Sequence, residues 1–162
     1  MNEKRFWEII SLLNWTQDDD NAVIEPAVNA LSKHTIAEIY KFDDILSEKL
    51  YALDHEKYAK NIGRHSINNS SNDNFFSDIF LFARACVVAN GREIYQEVLE
   101  NPEEMPKDID FEPLLYLAEK AYSRKTKKSK YTHAPAFCCE TYSNTEGWNI
   151  AEPVYLSQLL SV

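Results

Sequence analysis

Residues 35–63 read TIAEIYKFDDILSEKLYALDHEKYAKNIG, and their pattern decides the fold class. Thr35 followed three residues later by Glu38 is a capping box, in which each side chain answers a free backbone N–H of the other residue. Ile39, Phe42, Leu46, Leu50 and Leu53 then return at three- and four-residue intervals, which places them on one stripe of a helix. Gly63 is the expected stop. The sequence therefore predicts a single long helix ending at Gly63, with its apolar stripe turned to a core.

Working towards the N-terminus, Phe6, Ile9, Ile10 and Leu13 fall at i, i+3, i+4 and i+7, so a first helix runs to about Trp15. Asp18, Asp19, Asp20 and Asn21 are cap-type residues ahead of Val23, Ala27, Ala30 and Leu31. A second helix follows, with Pro26 accommodated in its first turn and its end near His34. Towards the C-terminus, RHSINNSSNDN (residues 64–74) is polar and aperiodic and reads as an exposed loop. Ser77 can cap a helix carrying Ile79, Phe80, Ala83 and Val87. Asn90-Gly91 could turn a hairpin, but its flanks keep a period of 3.6, so Gly91 ends one helix and the next begins at once with Ile94, Tyr95, Val98 and Leu99. After the loop NPEEMPKDID, Phe111, Leu114, Leu115, Ala118 and Tyr122 form another helix that ends in the basic run Arg124 to Lys130. Residues 131–152 show no period, and a short helix is expected from Pro153. The expectation is an all-α, single-domain orthogonal bundle of six to seven helices, with an irregular segment over residues 123–162.

Composition narrows the function. A chain of 162 residues with 44% hydrophobic residues can bury roughly 70% of its unfolded surface. Its net charge of −9 opposes general binding to nucleic acid or anionic membrane. KTKKSK (residues 125–130) is short and reads as a helix C-terminus and solvated loop. With three glycines in the chain, neither a Walker loop nor a dinucleotide fingerprint can be spelled. Residues 1–15 lack a secretory pattern, and the longest apolar stretch, Ile79 to Ala89, is too short for a membrane span and carries Arg84. Three cysteines fit a reducing cytoplasm: Cys86 reads as a buried thiol, and adjacent Cys138 and Cys139 lack the C-x-x-C spacing of active dithiols.

No catalytic signature is present. His34, His55, His65 and His133 include no i, i+4 pair and no H-E-x-x-H, so no metal is expected; G-x-S-x-G is absent, and no cofactor is implied. Asp43, Asp44 and Glu48 share one helix and read as an acidic, solvated face suited to steering a basic partner. Arg84, inside FLFARACVV, needs an anion or must snorkel. Asp78, six residues earlier, lies on another helical face. Two readings of Asp78 and Arg84 stay open, an internal ion pairing that fixes helix packing and a ligand-facing pair.

Phe6 and Trp7, Phe42 to Leu46, then Ser77, Asp78, Phe80, Arg84, Gly91, Arg92, Asn101 and Pro102 carry a family resemblance. The chain resembles the bacterial domain of unknown function 4240 family over residues 3–122. Members of that family begin with Phe-Trp and carry Asp-Asp, x, Phe, x, x, Phe-Arg, x, Trp-Leu, x, x, x, Gly-Arg. Here Ser77 replaces the first acid, Ala83 the Phe before the Arg and Cys86 the Trp, while residues 64–74 look like an insertion. The resemblance implies an all-helical fold and an intracellular bacterial setting, and it implies no activity.

Three functions are compatible with this reading. The first is a non-catalytic protein-binding module, most concretely a bacterial immunity protein that neutralises a basic toxin through Asp18, Asp19, Asp20, Asp43, Asp44 and Glu48. The second is a small-ligand-binding protein or enzyme with a pocket around Asp78 and Arg84, rimmed by residues 64–74. The third is a scaffold or homo-oligomer, which an exposed apolar patch would mark.

Overall fold

Asn2, Asp19 and Thr35 each stand one residue before a helix and turn their side chains back onto it, accepting from the N–H groups of Arg5, Ala22 and Glu38. The Glu38 carboxylate in turn accepts from the Thr35 N–H at 3.1 Å, completing the capping box. These caps satisfy N–H groups that a helix start leaves without partners. The computed structural model describes residues 1–67 and 73–148, apart from the side chains of residues 73–75.

Among the described residues the chain is all-α, with α1 (Glu3–Ile10), α2 (Asp20–Ser32), α3 (Ile36–Ala52), α4 (Glu56–Ala59), α5 (Asp73–Ala89), α6 (Arg92–Glu100) and α7 (Leu117–Thr126). Short 3-10 turns cover Gly63–His65, Pro102–Glu104, Glu112–Tyr116 and Thr145–Trp148, and the described residues include no strand. Beyond α7 the path is irregular as far as Trp148, as expected. The helix expected from Pro153 lies outside the described residues. No helix of the described residues is long and apolar enough to cross a membrane.

The expected stripes form one buried cluster apart from Ile94 of α6, which is 40% exposed. Phe6 of α1 lies against Phe42 of α3 with ring centres 4.8 Å apart, and Ile39, Leu46 and Leu50 continue the α3 stripe inward. Phe80 and Val87 of α5 and Leu117, Ala118 and Ala121 of α7 close the core. Each large apolar side chain buried there contributes about 1.5–3 kcal/mol. The α2 and α7 helices pack side by side and run in the same direction: Lys120 reaches Asn21 at 2.6 Å, and one turn further along both helices Arg124 holds Glu25 through two bonds of 2.6 and 2.8 Å.

Several boundaries differ from expectation for local reasons. The long third helix stops at Ala52 instead of Gly63, because Asp54 turns into the interior and His55 caps α4 by accepting from the Lys57 N–H. The first helix ends at Ile10, and Trp15 leaves the core stripe. Pro26 is the seventh residue of α2 and not in its first turn, so the Ala22 carbonyl forgoes its helical donor. Ser77 lies within α5, which begins at Asp73, and its carbonyl accepts from the Thr141 hydroxyl at 2.7 Å. Gly91 does separate α5 from α6, at φ +97, where a side chain would be strained.

Because Thr35 and Glu38 cap the long stripe-bearing helix α3, Thr35→Ala is expected to lower stability by about 1 kcal/mol in urea unfolding, while Thr35→Ser retains most of it. Equal midpoints for all three chains would show that packing alone sets the start of α3.

Candidate functional site

Arg84 is the largest fully buried side chain, with no exposed surface. The α5 stripe brings it inward one turn after Phe80, whose ring lies 4.8 Å from the guanidinium carbon. One guanidinium nitrogen, Nη1, donates to the Leu50 carbonyl at the end of α3 at 2.9 Å, and the other, Nη2, donates to the Thr141 hydroxyl at 3.0 Å. Burial lowers its pKa to about 10, with Asp54 opposing the shift, so the group stays cationic at neutral pH. Its Nε has no hydrogen-bond partner among the described residues.

Asp54 supplies the anion. It too is fully buried, and its Oδ1 lies 4.0 Å from Arg84 Nη2. The same oxygen accepts from the Tyr142 N–H at 3.1 Å and the Trp148 indole N–H at 2.8 Å, while Oδ2 accepts from the Asn144 N–H at 2.9 Å. Tyr142 adopts φ +74, a left-handed backbone that is costly for a bulky residue. Gly147 passes so close that a Cβ there would lie 2.6 Å from the Asp54 carbonyl, which is why no larger residue fits.

The sequence pair Asp78 and Arg84 is not brought together. Asp78 is exposed on α5, whereas Arg84 finds its anion in Asp54, 30 residues earlier in the chain. A pocket around both is therefore not formed, because Arg84 has no accessible surface. An open groove of about 610 Å³ does exist elsewhere, between α2 and α7, lined by Ile24, Glu25, Tyr116, Lys120 and Arg124 among others. Two of its charges, Glu25 and Arg124, already neutralise each other.

The six acidic residues divide into two sets. Asp18 and Asp19 are exposed on the connection between α1 and α2, with Asp19 engaged as the cap of α2; Asp20 is exposed as the first residue of α2, and Glu48 is exposed on α3. Asp43 and Asp44 are only partly exposed, because the chain returning after α7 covers them. Tyr131 donates to Asp43 Oδ2 at 2.9 Å, and His133 Nε2 lies 2.8 Å from Asp44 Oδ1. The His133 ring stacks on Tyr40 at 4.5 Å and 5°. Burial raises the Asp43 carboxyl above the usual carboxylate range, against the lowering effect of the Tyr131 hydroxyl and His133. Among the described residues no three of His, Cys, Asp and Glu converge as metal ligands.

Residues 1–124 match the family described as protein of unknown function (DUF4240). The chain belongs to this family. No curated protein and no solved structure matches it. The DUF4240 match contains Asp54, Arg84 and all six acidic residues, whereas Thr141, Tyr142, Asn144 and Trp148, which close over the buried pair, lie beyond it. Sequence reading missed these partners: Asp54 ends a helical stripe as many surface aspartates do, and the others sit in an aperiodic stretch 57 to 94 residues away from the groups they bind.

Removing one member of a buried pair strands the other, so Asp54→Ala is expected to cost about 3–5 kcal/mol in urea unfolding. Adding Arg84→Met should recover part of that loss, and losses that simply add would show that the two charges are uncoupled.

Folding raises the pKa of Asp43, so the folded chain retains this proton over a window in which the unfolded chain has lost it. The contribution of the group to stability is thus complete below its unfolded pKa and falls as pH rises through the window. Asp43→Asn keeps an acceptor for Tyr131 and removes the ionisation. Its melting temperature relative to the parent should climb as pH rises from below the ordinary aspartate pKa to above it, and a pH-independent difference would contradict the assignment.

Proposed function

We propose that this DUF4240 chain is a non-catalytic protein-binding module, a bacterial immunity protein that captures and neutralises a basic toxin in the cytoplasm. The observation that carries the reading is the exposed connection between α1 and α2. Trp15 is 50% exposed there, its ring held against Phe111 at 4.9 Å, and after Thr16 and Gln17 come Asp18, Asp19 and Asp20, the last of them opening α2. Leu12 on this connection, and Ile109, 59% exposed and two residues before Phe111 in the chain between α6 and α7, add apolar surface.

A rigidly held aromatic beside a charged rim has the composition of an interface hot spot, where Trp anchors and exposed charges steer. The overall charge of −9 favours rapid encounter with a cationic protein. Asp18, Asp20 and Glu48 are the steering charges. Asp43 and Asp44 are spent on Tyr131 and His133, and Asp19 on its helix, so they contribute field more than contact.

A pulldown from the lysate of the source organism should recover one basic protein stoichiometrically, and its toxic activity should be blocked by the complex. With that partner, Asp18→Asn/Asp20→Asn/Glu48→Gln is expected to slow association about tenfold at low salt, with the effect shrinking as salt rises. Trp15→Ala should accelerate dissociation by about tenfold or more. Recovery of no basic protein, or rates unchanged by either variant, would overturn the proposal.

A further inference from the structure

The Asp54–Arg84 pair has the make-up of a recognition site, and what it recognises is a piece of polypeptide. Two of the three N–H groups on Asp54 are backbone groups, those of Tyr142 and Asn144, two residues apart and held on one carboxylate. Any extended or turned peptide offers such donors. Selectivity comes from three further features: the Thr141 hydroxyl on Arg84, the absence of a side chain at Gly147, and Trp148, which donates to Asp54 while its ring packs edge-on to Phe80 at 5.7 Å. Phe137, earlier in the same segment, lies 5.1 Å from Tyr51 of α3.

The two sides of this contact come from different parts of the chain. Asp54, Arg84, Leu50, Tyr51 and Phe80 belong to the portion that matches the family, which ends at Arg124. The hydroxyl on Arg84 and the three N–H groups on Asp54 all come from residues beyond that point. Between the two parts, Lys127 to Lys130 are exposed and outside any helix, beginning with Lys127 in a left-handed conformation at φ +58. Four residues of this kind can be cut or stretched without disturbing a buried contact. After them Tyr131 and His133 dock on Asp43 and Asp44, the first contacts of the returning segment.

We propose that the DUF4240 part of this chain carries a peptide-binding site centred on Asp54 and Arg84, and that residues 131–148 are its ligand, held in cis by the lysine-rich connector. The site reads Thr-Tyr-x-Asn-x-x-Gly-Trp, with Tyr131 and His133 as outlying anchors. Tethering makes the local concentration of this ligand high, so the site stays filled in the intact chain. Without the segment, Asp54 loses all three of these N–H donors and Arg84 loses its hydroxyl partner, leaving a mixed-charge cleft beside Phe76 and Phe80 that takes an equivalent segment from solution. This inference stands on contacts remote from Trp15 and does not depend on the toxin-binding reading.

The test uses the full chain with a site-specific protease sequence inserted between Lys128 and Ser129. After cleavage, fluorescein-labelled peptide of residues 131–148 is added under reducing conditions and its uptake is followed by anisotropy, with helix content followed by circular dichroism. The cleaved chain is expected to keep its helices and bind the peptide about tenfold or more tightly than the uncut chain does, because the tethered ligand no longer competes. Peptide carrying Trp148→Ala should bind about tenfold more weakly. Loss of helix content when the fragment departs would overturn the proposal, since the segment would then be indispensable core. Retained helices with no peptide uptake would overturn it as well.

Discussion

A guanidinium taken wholly out of water sets the terms for the rest of this fold. Desolvating Arg84 and Asp54 costs several kcal/mol for each ion, and their attraction across 4.0 Å is worth about 4 kcal/mol at an effective dielectric constant near 20. The pair by itself does not cover its own burial. What tips the balance is the set of oriented partners around it: the Leu50 carbonyl and the Thr141 hydroxyl for the cation, and the N–H groups of Tyr142, Asn144 and Trp148 for the anion. Hydrogen bonds to charged groups are worth about 1.5–3 kcal/mol each, enough to decide the sign. Three structural features accompany the buried pair. Helix α3 ends at Ala52 so that Asp54 can turn inward, the segment after α7 lies over the two charges, and Gly147 is bare where it passes the Asp54 carbonyl.

The acidic character of the chain is likewise not one uniform surface. Asp19 caps a helix, Glu38 closes a capping box, Glu25 pairs with Arg124, and Asp43 and Asp44 receive the returning segment. Each of these uses negative charge to fix geometry. The acids left facing solvent near Trp15 and on α3 are those free to act at a distance, and their effect is long-range only where salt does not screen it.

How much of this was legible in the sequence depends on the range of the interaction that decides each feature. The capping box of α3, the stripe from Ile39 to Leu50, the cap of α2 and the break at Gly91 are all written within four residues of themselves, and all are where the pattern puts them. Arg84 was legible as a cation needing an anion. Its partner was not, because Asp54 follows a perfect stripe position at Leu53 and nothing local separates an inward aspartate from a solvated one. The stripe even extended the helix falsely to Gly63, since periodicity does not register a carboxylate drawn sideways into the core. Residues 131–148 are the extreme case: held by side-chain and backbone hydrogen bonds to groups far away in sequence, they have no period to read.

The exposed aromatic on the α1–α2 connection makes the converse argument. Arg84 shows that this chain brings even a charge inside when partners can be arranged for it, so leaving half of Trp15 in water is not for want of a core to receive it. Burying that remaining surface would stabilise the fold at roughly 25 cal/mol per Å² of apolar area. Trp15 is instead propped outward on Phe111, after a first helix that stops five residues short of it, with three aspartates beginning three residues further on. A connection that forgoes this burial and gathers charge near the exposed ring gains nothing by it within the isolated chain, and this is the feature on which the protein-binding proposal rests.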